Sequence, residues 1–250
     1  MFERDGFNIE IVSNFKKPSV NQYMELLKFP NGINTESIID EKYDYFFKQY
    51  SYKTYIPLIN FPSSEQADLS IIRDDFLSAI NTIIREQTQI KGGMRTAIMY
   101  LIDEAVSNII HHSKDDRGYI LAQVYRVNGY MEIGLADIGR TLLQSYESSE
   151  NEKYKNINSH LLALTAALDG KSTKSNNVDR GFGISTSKKM LTEGLNGKYF
   201  IYSGNVFNIH TSERNDIIEL SPSTFWQGVY LAMRIPLVAK PEFIPSDYYE

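Results

Sequence analysis

Glu104 and Asn108 stand one helical turn apart in the run Met94–His112, and both break its pattern. Apolar residues recur there at Met94, Ala97, Ile98, Leu101, Ile102, Ala105, Val106, Ile109 and Ile110, which at the helical period form one broad stripe. Asp103 and Ser107 fall on the far side, where polar residues belong. Glu104, Asn108 and His111, spaced i, i+4 and i+7, share a row along the stripe's edge, with Asn108 between Ala97 and Leu101. A carboxylate and a carboxamide at a core boundary need partners, because an unpaired polar group there costs on the order of 1–3 kcal/mol. Two readings stay open. Both side chains bond to nearby backbone, or they form a polar pocket wall, the amide oxygen free for a metal and the carboxylate free to act as base. His112 points into the stripe beside Met94 and reads as a satisfied core histidine. His111 reads as a solvated edge residue, with reach toward a phosphate as its alternative.

Two glycine-bearing turns could also do chemistry. The apolar run Met131–Ala136 ends in Asp137-Ile-Gly139. An aspartate at a strand's end, followed by a glycine that lets backbone approach closely, can accept a hydrogen bond from the amino group of a planar ligand. Asp and Gly also end many strands as ordinary turns. The second turn, Asp179-Arg180-Gly181-Phe182-Gly183-Ile184-Ser185, runs straight into the helical sequence STSKKML. Glycines just before a helix expose unpaired N–H groups at its positive end, which suits phosphate oxygens. The plainer alternative is a loop-to-helix turn capped by Ser185. It is not a P-loop, because no GxxxxGK[ST] occurs, and it does not follow a first βα strand as a dinucleotide turn would.

The elements that must position these residues follow from period and punctuation. A strand at Phe7–Val12 and a helix within the aromatic run 41–55, packing its Tyr and Phe residues or presenting them to a partner, are expected in the first fifty residues or so. Tyr55–Phe61 reads as a short strand, demoted to an edge or a strand end by Pro57. Ala67–Gln89 has the helical period, and Gly92–Gly93 separates it from the Met94–His112 helix. Asn128-Gly129 between two β-rich runs predicts a hairpin closed by a type I′ turn. Residues 141–180 are polar and irregular around one amphipathic segment, Ser159–Leu168, and such a long connection reads as a functional lid. A helix at Phe182–Thr192 and strands at Lys198–Ser203, Val206–His210, Ile217–Leu220 and Gly228–Pro236 complete the chain. Helices, hairpin, lid, helix and then strands predict an α+β sandwich with helices on one face of a mixed sheet.

In order, Glu104-x-x-x-Asn108, Asp137-x-Gly139 and Gly181-x-Gly183-Ile184 resemble the ATP-binding domain shared by gyrase, Hsp90, histidine kinases and MutL, the GHKL family. The spacing agrees, and the resemblance spans about Tyr55–Leu237. It implies a two-layer α/β sandwich of the Bergerat type, a mostly antiparallel mixed sheet on helices, binding Mg·ATP between sheet and lid. By resemblance, Asp137 receives the adenine amino group, Asn108 coordinates Mg²⁺, and Glu104 orients or deprotonates the attacking group. Gly181 and Gly183 give N–H groups to phosphates, with Gly139 and Ile184 completing their boxes. Arg180, beside the phosphate turn, is the cation best placed to neutralise phosphate charge, whereas Lys171 and Lys174 read as well as solvated loop cations. Two departures stand out. The family's final strand carries a threonine near the adenine where this chain has Val229, and Thr141 replaces the second glycine of Asp-x-Gly-x-Gly, which stiffens the lid's hinge.

Composition sets the remaining bounds. In 250 residues, 26 Lys and Arg stand against 31 Asp and Glu, for a net charge of −5. That balance does not indicate a nucleic-acid coat. Cysteine is absent, which removes disulfides, thiolate zinc sites and cysteine nucleophiles. No apolar run approaches a membrane span, and the first residues lack a signal pattern, so a cytoplasmic protein is expected. The expected organisation is an N-terminal extension at 1–54, an ATP-binding domain at 55–240 and a C-terminal tail at 241–250. The resemblance implies a nucleotide-controlled switch with slow ATP hydrolysis, or a serine/threonine kinase of the anti-sigma type, working on a regulatory protein partner, with room for a homodimer. The alternative is an ATP-dependent interaction module without turnover.

Overall fold

A mixed sheet of eight strands carries most of its helices on one face, while Tyr23 in the helix Pro18–Leu26 donates to Gln123 on the other, in the computed structural model, which describes residues 18–38, 48–63, 67–115, 117–171, 183–238 and 243–248. The strands are β1 (Ile33–Asn34), β2 (Tyr55–Pro62), β3 (Arg117–Tyr125), β4 (Tyr130–Asp137), β5 (Lys198–Gly204), β6 (Val206–His210), β7 (Asn215–Glu219) and β8 (Trp226–Pro236). Their spatial order is β1-β2-β3-β4-β8-β5-β6-β7. Only β1 and β2 pair in parallel; every other neighbour is antiparallel. The helices are α1 (Pro18–Leu26), α2 (Ala67–Thr88), α3 (Gly92–His112), α4 (Leu142–Glu147), α5 (His160–Leu168) and α6 (Gly183–Lys189). The α+β layering expected from the element order is therefore present. Among the described residues no helix is long and apolar enough to cross a membrane.

Alternation along the strands decides which face the helices cover. Ile120, Ala122 and Val124 of β3, Met131, Ile133 and Leu135 of β4, and Met233 and Ile235 of β8 are buried, while the residues between them are for the most part less so. Phe76, Ile80 and Ile83 of α2 and Ala97, Leu101 and Ile102 of α3 bury against that face, with Phe61 stacked on Phe76 at 5.6 Å. Such burial contributes about 1.5–3 kcal/mol per large side chain. On the opposite face Arg234 pairs with Glu132 directly across β8 and β4, and lies 4.4 Å from the centre of the Tyr130 ring.

Several elements differ from the sequence-based expectation. β2 is not an edge: β1 flanks it on one side and β3 on the other, and the register slips between Ile56 and Ile59. Pro57, which has no N–H for a ladder, sits in that irregularity. The hairpin turn occupies Arg126–Gly129, and only Gly129 takes a positive φ, of 70°, so the type I′ turn is replaced by a longer loop. Of the aromatic run 41–55, residues 49–54 form turns and bends, with Tyr50 buried and Tyr52 exposed, and the strand begins at Tyr55. Residues 41–47 and the strand expected at Phe7–Val12 lie outside the described residues. The segment after β4 is more ordered than its polarity suggests, since α4 and a 3₁₀ turn at Glu152–Tyr154 precede α5. Parts of both termini join the main body. β1 extends the sheet, and Gln87 of α2 donates to the carbonyls of Tyr50 and Tyr55. Residues 243–248 lie close against the start of α3 at Gly93 and against Gly194, where the chain leaves α6 through a π-turn at Met190–Gly194.

Candidate functional site

The stripe on α3 buries Met94, Ala97, Ile98, Leu101, Ile102, Ala105, Val106 and Ile109, which leaves Glu104 and Asn108 half-buried at its edge. Among the described residues neither side chain makes a hydrogen bond, so the reading in which both bond to backbone fails. They face the start of α6 instead. A Cβ built on Gly183 would lie 2.1 Å from Glu104 Oε2 and 3.6 Å from Asn108 Nδ2. Only a residue without a side chain lets the carboxylate rest there. Residues 79 positions apart in sequence, 104 and 183, thus meet. Ser185 lies inside α6, not at its cap. Arg180 and Gly181, with Lys174, fall outside the described residues.

Asp137 closes β4 and is 2% exposed. Its Oδ1 accepts the N–H of Gly139 at 2.9 Å, and its Oδ2 accepts the N–H of Val229 at 3.3 Å. Gly228 makes the second contact possible. Its φ is 93°, and a Cβ there would lie 2.3 Å from the Asp137 carbonyl oxygen, so a larger residue would be both strained and blocked. Ser203 fixes the same corner by donating to the Gly228 carbonyl at 2.8 Å while accepting the N–H of Leu142 at 3.0 Å. Burial pushes the Asp137 carboxyl up to about 7, against the two backbone N–H bonds that pull it down, with Asp115 adding a smaller upward push.

The turn after Asp137 clamps onto the end of α3. A Cβ on Gly139 would lie 2.0 Å from the Ser113 carbonyl oxygen. Arg140 then donates its backbone N–H to that carbonyl at 2.7 Å and its Nε to the His112 carbonyl at 3.3 Å, satisfying acceptors that a helix end leaves open. Gly139 therefore serves close backbone approach. Thr141 caps α4: its Oγ1 accepts the Gln144 N–H, while Gln144 Oε1 accepts the Thr141 N–H at 2.9 Å. That capping box explains the departure from glycine.

Between these groups lies a cleft with an empty volume of about 880 Å³, counting the space open to solvent. Leu135, Val229 and Leu231 from the sheet form an apolar floor, α3 contributes Asn108 and His112, and Gly183 and Ile184 close the far side. Among the described residues Asp137 is the one carboxylate lining it, with Arg140 and Lys171 as cations. His112 thus reaches the cleft, whereas His111 lines a separate groove between α2 and α3. Among the described residues no cluster of three His, Asp or Glu side chains could hold a metal ion by itself. An ion held mainly by ligand oxygens needs only one side-chain oxygen, and the unpartnered Asn108 amide could supply it. Arg140, Ser203 and Gly228 are site residues that motif reading missed. Arg140 directly follows Gly139, and Gly228 opens the last apolar strand, but neither signal is specific alone.

Comparison of the chain with protein-family models, with curated proteins and with solved structures finds no match.

Proposed function

We propose that the cleft binds Mg·ATP in the manner of the GHKL domains, on a Bergerat-type arrangement of sheet and helices. One observation carries this reading: Asn108 and Gly183, which Glu104 meets from behind, line the same cleft as the buried Asp137. An apolar slot ending in a carboxylate suits a flat base with an exocyclic amino group. In this reading Asp137 accepts from that amino group, and Val229 contributes its backbone N–H to hold the carboxylate. Asn108 holds Mg²⁺ together with phosphate oxygens, and the metal offsets phosphate charge. Glu104 orients or deprotonates the attacking hydroxyl, of water or of a partner's serine or threonine. Gly181, Gly183 and Arg180 attend the phosphates. The protein then acts as a nucleotide-controlled switch read by a partner protein.

The first test is thermal unfolding with and without Mg·ATP. A ligand at about a hundred times its Kd stabilises the folded state by about 2.7 kcal/mol, and no shift at millimolar nucleotide would sink the proposal. A second reading, binding without turnover, draws support from Glu104 resting against Gly183, where a carboxylate can be merely structural. Phosphate release and phosphoryl transfer compared between wild type and Glu104→Ala separate the two, since equal background rates would leave the binding module.

A further inference from the structure

The solvent side of α3 carries charges that the cleft does not use. Arg95, Met99 and Asp103 stand at i, i+4 and i+8, which makes them one row on the helix. That row forms a wall of the groove between α2 and α3, whose empty volume is about 1320 Å³ with open solvent included. Leu77, Met99, Val106 and Ile110 give the groove apolar surface. Arg73 is matched by Asp74 at 3.0 Å. Arg95 and Asp103 are exposed, and among the described residues neither has an ion pair or a hydrogen bond. At the groove's end Ile71 is 62% exposed. It precedes Asp74 by three residues and Ser78 by seven, which places it on the groove-lining face of α2.

We propose that this face is a two-fold interface between two copies of the chain, with α3 packed antiparallel on α3 of the second copy about Met99. The charges select that arrangement. Antiparallel pairing centred on Met99 sets each residue 99−n against 99+n of the other copy, so Arg95 meets Asp103 of the second copy, and does so twice. Parallel pairing would set arginine against arginine and aspartate against aspartate, which is repulsive. Helices packed about 8–10 Å apart leave a guanidinium within reach of the facing carboxylate. The contact is isologous and closes on itself as a dimer. Met99, Leu77 and Ile71 supply the apolar part that an interface needs at its centre.

Asp103 stands to gain from such a partner. Desolvation in the groove, then the neighbouring Glu104 and Asp74, push its carboxyl up to about 6, and a facing guanidinium works the other way. Glu104 and Asn108 lie on a different side of α3 from this row, so dimerisation leaves the cleft open and does not depend on its ligand.

The test is sedimentation velocity on the full chain, from about 1 to 100 µM, the range in which modest interfaces are populated. Wild type should be dimeric. Arg95→Glu and Asp103→Arg should each weaken association at least about tenfold, and the double reversal should recover it to within about threefold, because only then do opposite charges face again. Met99→Glu, which sets two like charges at the axis, should give monomer. Wild type that stays monomeric across this range would overturn the proposal. So would a dimer indifferent to the single reversals, or a double reversal no better than the singles. Circular dichroism and the Mg·ATP response of each variant, unchanged from wild type, establish that the fold and the cleft are intact.

Discussion

Replacing Asp137 by asparagine tests whether its carboxylate is held charged against its surroundings. The carboxyl is buried at 2% exposure and pushed up to about 7 from an ordinary 3.8. A carboxyl raised on folding contributes stability that is fully present below its unfolded value and is lost as pH rises through its folded value. The window here runs from about 4 to about 7, and the full loss is about 4 kcal/mol at 1.36 kcal/mol per unit. Asparagine abolishes this titration. It adds a fixed cost of about 1–3 kcal/mol, because its amide oxygen can accept from only one of the Gly139 and Val229 N–H groups. The two effects separate by pH. Between about pH 5 and 8.5 the stability of Asp137→Asn relative to wild type should rise by roughly 2–3 kcal/mol. Urea unfolding followed by the fluorescence of the single tryptophan, Trp226, reads this directly, since that residue lies two positions before Gly228. Parallel pH dependences for the two proteins would refute the electrostatic account. The same substitution replaces part of an acceptor by a donor, so affinity for nucleotides with an exocyclic amino group should fall at least about tenfold.

Three further substitutions probe the site. Gly183→Ala should change stability by less than about 1 kcal/mol, because the obstructing atom is the mobile end of Glu104, yet it should displace that carboxylate and reduce turnover; unaltered phosphate release would remove Glu104 from its assigned position. Gly228→Ala, at a φ of 93° and facing the Asp137 carbonyl, should cost more than about 2 kcal/mol in urea unfolding. Thr141→Ala removes one half of the capping box on α4 and should cost about 1 kcal/mol, with unchanged stability arguing that α4 is held by packing alone.

The α3 stripe, the hairpin strands and α5 were legible because period and capping residues act locally, as at Ser159, whose side chain accepts the Leu162 N–H. Glu104 and Asn108 were visible as violations of that period. What joins them to Gly183 was not, since no local rule states that residues 104 and 183 touch. Gly228 looked like an ordinary strand glycine, and neither its positive φ nor the Asp137 backbone beside it is announced by local sequence. Pro57 was misread because two-residue β1 carries too little pattern to reveal a strand on the far side of β2. The capping box Thr141–Gln144 stood in the sequence but is too short a signal to mark a six-residue helix.

The strand order places β8 between β4 and β5, so the middle of the sheet is filled by the strand that follows all the other described ones along the chain. Asp137 and Val229, bonded in the finished site, are 92 residues apart. During synthesis the carboxylate therefore stays in water, at its ordinary acidity, until β8 has been made. Burial of that charge belongs to the closing step of folding, where a long loop must be shut before the contacts reward it. A ligand able to satisfy Asp137 would favour that same step, so nucleotide bound as proposed should hold the fold closed.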